Sequence, residues 1–126
     1  MTIRWLRVAS SSVKTIESRE FEDEVGRSGV PVLVGFFFKY STASRVMSLV
    51  AEAVERETLS HLKVVQIDAL SDPEFANLSN SLRITALPAF VLFHHGKCLA
   101  QCSGVKRQKD MRHWIEDALQ RKTTES

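Results

Sequence analysis

The segment from Val30 to Thr58 (VPVLVGFFFKYSTASRVMSLVAEAVERET) leaves few folds open, because it joins a continuous apolar run to a helical pattern across a short polar break. From Val32 to Phe38 only Gly35 interrupts β-branched and aromatic residues, as a strand covered on both faces requires. Such a strand belongs in the middle of a sheet. Ala43, Val46, Met47, Val50, Ala53 and Val54 then recur at spacings of three and four, while Arg45, Glu52, Glu55 and Arg56 are expected to point away. Between strand and helix lie Tyr40, Ser41, Thr42, Ala43 and Ser44, where a hydroxyl can cap the helix and leave its first N–H groups aimed outward. Any chemistry is expected to reside in that break.

The rest of the chain alternates in the same way. Val13 to Ile16 reads as a short strand, Ser18 as the N-cap of a short acidic helix buried through Phe21 and Val25, and Leu62 to Asp68, after a Ser60-His61 connection, as a second apolar strand. Asp72-Pro73 predicts a helix start, with Phe75, Leu78 and Leu82 facing inward and an end near Ser81. Phe90 to Phe93 predicts a strand, His94 to Lys97 a hairpin turn, and Cys98 to Ser103 an antiparallel return along the sheet edge. Met111, Trp114, Ile115, Ala118 and Leu119 mark a closing helix. The order β-α-β-α-β-α-β-β-α implies a mixed central sheet flanked by helices.

At 126 residues the chain is expected to form one domain over 12–120, with an N-terminal extension over 1–11 and a polar tail over 121–126 that frays. Seventeen Lys and Arg oppose fifteen Asp and Glu, a balance that makes no case for nucleic acid. With 44% hydrophobic and 25% charged residues, neither disorder nor a membrane span is indicated. Two cysteines without a CxxC pair point to a reducing compartment, and the cytoplasm is the expected one. Arg4, Arg7 and Lys14, among serines and with no acid before Glu17, keep a mitochondrial presequence as the alternative.

The strand-to-helix junction resembles the active-site segment of thioredoxin, Trp-Cys-Gly-Pro-Cys-Lys. On that pattern the Trp falls on Tyr40, the two cysteines on Ser41 and Ser44, the Gly-Pro on Thr42-Ala43 and the Lys on Arg45. Val13 to Ser18, Ile84 to Phe93 and Gly96 to Leu119 also resemble thioredoxin at matching spacing, so the likeness covers roughly 12–119. It implies the thioredoxin fold, a central mixed sheet of about five strands flanked by helices. It further implies that the family's buried Asp falls on Gly35 and its companion Lys on Gln66. Leu87-Pro88 matches the family's cis Ile-Pro turn, beside which an extended substrate pairs, and retention of that turn is expected.

Thiol–disulfide exchange needs an attacking thiolate and a resolving thiol, and a serine hydroxyl supplies neither. The resemblance therefore implies a redox-inactive, thioredoxin-like protein-binding module, a chaperone, assembly factor or complex subunit. Its groove would comprise Tyr40, Ser41, Thr42, Ala43, Ser44, Ala86, Leu87, Pro88, Ser103, Gly104 and Val105. The expected partner is another protein, bound through an extended segment, with no cofactor, metal, nucleic acid or membrane. The alternative is a thiol-dependent or glutathione-binding enzyme using Cys98, Cys102 or Ser41. An activated serine needs an adjacent base, and no His or carboxylate lies within the motif, so helix capping is the favoured role of Ser41. Four residues apart on one strand, about 13 Å, Cys98 and Cys102 are expected on the same face and too far apart to bridge. With His94 and His95 they form HHxxCxxxC, a spacing that matches no structural zinc pattern. Restoring both cysteines is expected to give weak activity, improved by Gly35→Asp.

Overall fold

The computed structural model describes residues 13–58 and 61–125. In chain order it contains β1 (Lys14–Thr15), a 3-10 turn (Ser18–Glu20) leading into a π-type turn (Glu22–Gly26), β2 (Val32–Phe37), α1 (Thr42–Thr58) and β3 (Lys63–Asp68). These are followed by α2 (Phe75–Ser81), β4 (Ala89–His94), β5 (Lys97–Ser103) and α3 (Gln108–Glu125). The N-terminal extension with its presequence reading, and Ser60 of the connection before β3, lie outside the described residues.

The strands form one sheet in the order β1-β3-β2-β4-β5. β1, β3 and β2 run parallel, whereas β4 and β5 are antiparallel to their neighbours. Being central, β2 is buried at every residue, which explains its unbroken apolar run. Its side chains alternate between two cores. Leu33 and Phe37 pack with Val64, Phe90 and Leu92 against Met47, Ala51 and Val54 of α1 and Met111, Ile115 and Ala118 of α3. Val32, Val34 and Phe36 face the other way with Val65, Ile67 and Val91, under Ile16, Val25, Phe75 and Leu78. Each large side chain fully buried here contributes about 1.5–3 kcal/mol of transfer free energy.

Several local expectations need correction. The first helix is broken into 3-10 and π-type turns, and Ser18 does not cap it. Glu17 stands at the cap instead, its N–H donating to the Glu20 carboxylate at 2.8 Å, while the Ser18 N–H and hydroxyl both go to the buried Asp72 carboxylate. The regular helix starts two residues later than expected, at Phe75, although Asp72 still takes part in the turn before it: its carboxylate accepts from the Glu74 N–H at 3.4 Å and its carbonyl from the Phe75 N–H at 3.2 Å. The inward stripe of α1 is Ser44, Met47, Ser48, Ala51 and Val54, whereas Val46 points to solvent. Finally, α3 continues to Glu125 through residues expected to be a fraying tail.

The β4–β5 hairpin turns at His95 and Gly96, both at positive φ (54° and 76°), the backbone of a tight two-residue turn. A bulge follows, since Leu92 pairs with Ala100 but Phe93 pairs with Cys98, leaving Leu99 as the extra residue. That extra residue reverses the alternation. Cys102 lies opposite Phe90, on the α1 and α3 side, whereas Cys98 lies opposite Phe93, on the other side. The two cysteines therefore occupy opposite faces, contrary to the simple strand count.

Candidate functional site

Register brings the three groove segments to one end of the sheet. Phe36 of β2 pairs with Ala89 of β4, which pairs with Ser103 of β5, so the loop through Tyr40, the turn through Pro88 and the loop through Val105 all leave from neighbouring strand ends. The Gly104 N–H donates to the Pro88 carbonyl at 2.8 Å, with Gly104 at φ 89°. The Leu87–Pro88 peptide bond is cis. On the helix side, the Lys106 N–H lies 3.3 Å from Met47 Sδ and ties the last loop to α1.

At the junction itself the two hydroxyls hold the backbone. Ser41 Oγ accepts from the Ser44 N–H at 3.2 Å, an N-cap bond to the third residue of the helix. Ser44 Oγ accepts from the Phe38 N–H at 3.0 Å, and its side chain is buried. Each serine thus fills a structural role that a short polar side chain can fill.

Gly35 and Gln66 pair side by side on the α1 face of the sheet. A Cβ built on Gly35 would stand 2.5 Å from Phe37 Cζ, because the Phe37 ring folds back over the glycine and packs edge-on against Phe90 at 5.5 Å. The space over this strand is therefore occupied by an aromatic ring. Gly35→Asp would need that ring to move as well as a carboxyl to be buried, a structural cost set against the gain expected when it is added to the restored cysteines. Gln66 accepts from the Ser48 hydroxyl at 2.7 Å and donates to Thr15 Oγ1 at 3.0 Å. These residues form the floor of a cleft of about 420 Å³, bordered by Lys39, Ser44, Arg45, Leu49 and Asp68. Asp68 accepts from the Lys39 N–H at 2.9 Å and the Ser71 hydroxyl at 3.0 Å.

Sequence reasoning placed Tyr40 and Val105 at this end but missed the wider apolar surface around them. Tyr40 and Val105 are 69% and 62% exposed, and Phe38, Val46, Leu49 and Leu70 also reach solvent. Phe38 and Tyr40 make an edge-on pair at 6.0 Å, with Lys39 Nζ 5.7 Å from the Tyr40 ring centre. The missed signal is an aromatic pair straddling a lysine just after the strand, where in-out alternation no longer hides side chains.

His94, His95 and Cys98 lie apart from this end, whereas Cys102, next to Ser103 on β5, lines a hollow with Ala86 and Ser103 beside the groove. Cys98 pairs with Phe93, whose neighbour Val32 starts β2, so Cys98 is at the opposite end of the sheet. His94 and His95 stack on each other there, ring centres 4.0 Å apart. Burial pushes the Cys102 thiol above its ordinary value, against a weaker downward pull from Lys106. Among the described residues no group of three or more His, Cys, Asp or Glu could hold a metal ion, and no helix is long and apolar enough to cross a membrane.

A mixed five-stranded sheet, with a helix capped at the end of its central strand and a proline turn beside that cap, defines a protein of the thioredoxin fold with hydroxyls at its junction. The chain belongs to the thioredoxin family, whose model, described as Thioredoxin, matches residues 12–117. It is 24% identical to the thioredoxin of Rickettsia bellii over 104 residues, 82% of this chain and 96% of that protein. It is 30% identical to the chloroplastic thioredoxin Y2 of Arabidopsis thaliana over 115 residues, 91% of this chain and 66% of that one. The structure of chloroplastic thioredoxin z is similar with a TM-score of 0.73 at 24% identity, covering 84% of this chain and 93% of that chain, a likeness of fold.

Proposed function

We propose that this chain is a redox-inactive member of its family, a protein-binding module that uses the end where its relatives would place thiols. One observation carries the reading. All the large exposed hydrophobic residues described belong to the segment from Phe38 to Leu49 or to the turns after β3 and β5 at that same end. The cluster marks an interaction surface; Ser41 and Ser44 leave no thiol at the helix junction for a covalent step, and the neighbouring Cys102 is half-buried. Tyr40 to Ser44, Ala86 to Pro88 and Ser103 to Val105 would receive an extended segment of another protein, as expected of a chaperone, assembly factor or complex subunit. Each net backbone hydrogen bond would add only about 0.5–1.5 kcal/mol, so the exposed apolar rim must supply much of the affinity.

The enzyme reading has less support. Thiol catalysis wants a lowered pKa, yet burial raises that of Cys102, and Cys98 stands at the far end of the sheet. Ser41 spends its oxygen on the helix cap. Free thiols at both positions suit a reducing compartment, with the cytoplasm as the proposed one.

Two measurements test the proposal. Insulin reduction by dithiothreitol, followed by turbidity, should run no faster with this protein than without it; an acceleration abolished by Cys98→Ser or Cys102→Ser would establish the enzyme instead. Capture from lysate under reducing conditions should yield a partner whose affinity falls in Tyr40→Ala, whereas unchanged affinity in that variant would place binding on another surface.

A further inference from the structure

Charge at the groove is distributed unlike charge elsewhere on the molecule. Most Lys and Arg side chains described are held by carboxylates, such as Lys14 and Lys63 by Glu24, Arg27 by Asp23 and Arg112 by Glu57. Lys39, Arg45, Arg83 and Lys106 make no ion pair among the described residues. All four border the groove. Lys39 and Arg45 flank the mouth of the 420 Å³ cleft, Arg83 lines a hollow with Ala86 and Ser103, and Lys106 adjoins Val105. Of the other unpaired cations, Lys97 sits beside the far hairpin turn and Lys109 in the first turn of α3. Among the described residues lining the cleft, Asp68 is the one carboxylate, and it accepts from the Lys39 N–H and the Ser71 hydroxyl.

We propose that the segment docking here is acidic as well as apolar, an extended stretch whose aromatic or aliphatic side chain rests on Tyr40 and whose carboxylates meet Lys39 and Arg45 at the cleft. This rests on the binding reading above and names the chemistry of its partner. An apolar surface ringed by unneutralised cations favours a ligand of opposite sign, because desolvated apolar contact supplies adhesion while charges select partner and register. The cleft lies on the β3 side of the Phe38–Arg45 segment and the Pro88–Gly104 turn on its β4–β5 side, so one extended segment crossing Tyr40 reaches both. Within the cleft the Ser44 hydroxyl, whose oxygen accepts from the Phe38 N–H, and the second N–H of the Gln66 amide offer neutral donors to an incoming carboxylate, whereas Ser48 and Ser71 donate to Gln66 and Asp68.

The test selects short peptides from a random phage-displayed library on the intact chain and titrates fluorescein-labelled copies by anisotropy. Selected sequences should place Asp or Glu beside an aromatic or aliphatic residue. Their affinity should fall about tenfold in Arg45→Glu and several-fold as salt is raised to roughly 0.5 M. Exchanging the peptide's acids for lysines should recover binding to Arg45→Glu. Lys39→Gln serves as a second variant, since it removes charge without setting a carboxylate beside Asp68. Selection of neutral or basic sequences, or unchanged affinity in both variants, would overturn the proposal. If such sequences still lose binding in Tyr40→Ala, the docking reading stands and only the acidic partner falls; if no selected peptide depends on Tyr40, both fall.

Discussion

Gly35 and Phe37 act as one unit, since the ring of the second covers the backbone of the first. Adding even a methyl group at Gly35 should therefore cost about 1–3 kcal/mol by overpacking. In a Phe37→Leu background the same Gly35→Ala change should cost clearly less, which paired urea denaturation curves would show; equal costs in both backgrounds would mean that the ring is not the obstacle. The serines form a second residue-scale case. Ser44→Ala leaves the Phe38 N–H without its oxygen, a loss of about 1–3 kcal/mol, whereas Ser41→Ala removes a half-exposed cap worth about 1 kcal/mol. The unfolding midpoint should fall in both variants and further for Ser44. The Gly35 substitution was visible in the sequence, but its consequence was not, because a ring two residues along the same strand can fold back only in three dimensions. Which serine caps and which is buried likewise depended on the Phe38 N–H needing a partner.

Among elements, α1 shows where pattern reading succeeds and where it stops. Its existence, its start after Tyr40 and its packing on the sheet were legible in the spacing of Met47 and Val54. Its orientation was misjudged at Val46, an apolar residue counted inward, whereas Ser44 and Ser48 take inward positions beside Met47. A serine whose hydroxyl finds a partner is small enough to be buried, and Gln66 and the Phe38 N–H provide those partners. The Leu99 bulge is another such limit, since no residue type announces it and it turns Cys98 to the opposite face. Between elements, Glu24 of the π-type turn joins β1 and β3 by bonding Lys14 and Lys63, both at 2.8 Å. Hydrogen bonds to these ammonium groups lower its pKa from 4.5 to about 2. A depressed carboxylate stabilises the fold at pH above 4.5 and loses that contribution as pH falls from there toward 2. Lys14, raised above 10.5 chiefly by its hydrogen bond to Glu24, contributes below 10.5 and loses its share as pH rises beyond it. Glu24→Gln should flatten the acid limb of a stability-against-pH curve, and high salt should weaken the effect in the parent; an unchanged acid limb would mean that the triad contributes nothing.

Over the whole molecule, the thioredoxin fold and the meeting of the three candidate groove segments at one sheet end were legible because the β-α alternation and the strand-to-helix break survive without the cysteines. The surface of that site was less legible. Exposure of Phe38, Leu49 and Leu70 depends on how β2, β3 and α1 end side by side, and the lack of counterions at Lys39 and Arg45 on which acids lie near them in space. This end of the molecule is proposed to hold a partner without thiol chemistry. A photo-crosslinking residue at position 40, placed in the parent and in a Cys98→Ser, Cys102→Ser chain, tests it most directly, with the same residue at the exposed position 113 of α3 as the control. One discrete crosslinked partner is expected from position 40, with equal yield in both chains and under reducing conditions, and none from position 113. A crosslink that disappears with the cysteines, or that forms equally from position 113, would contradict it.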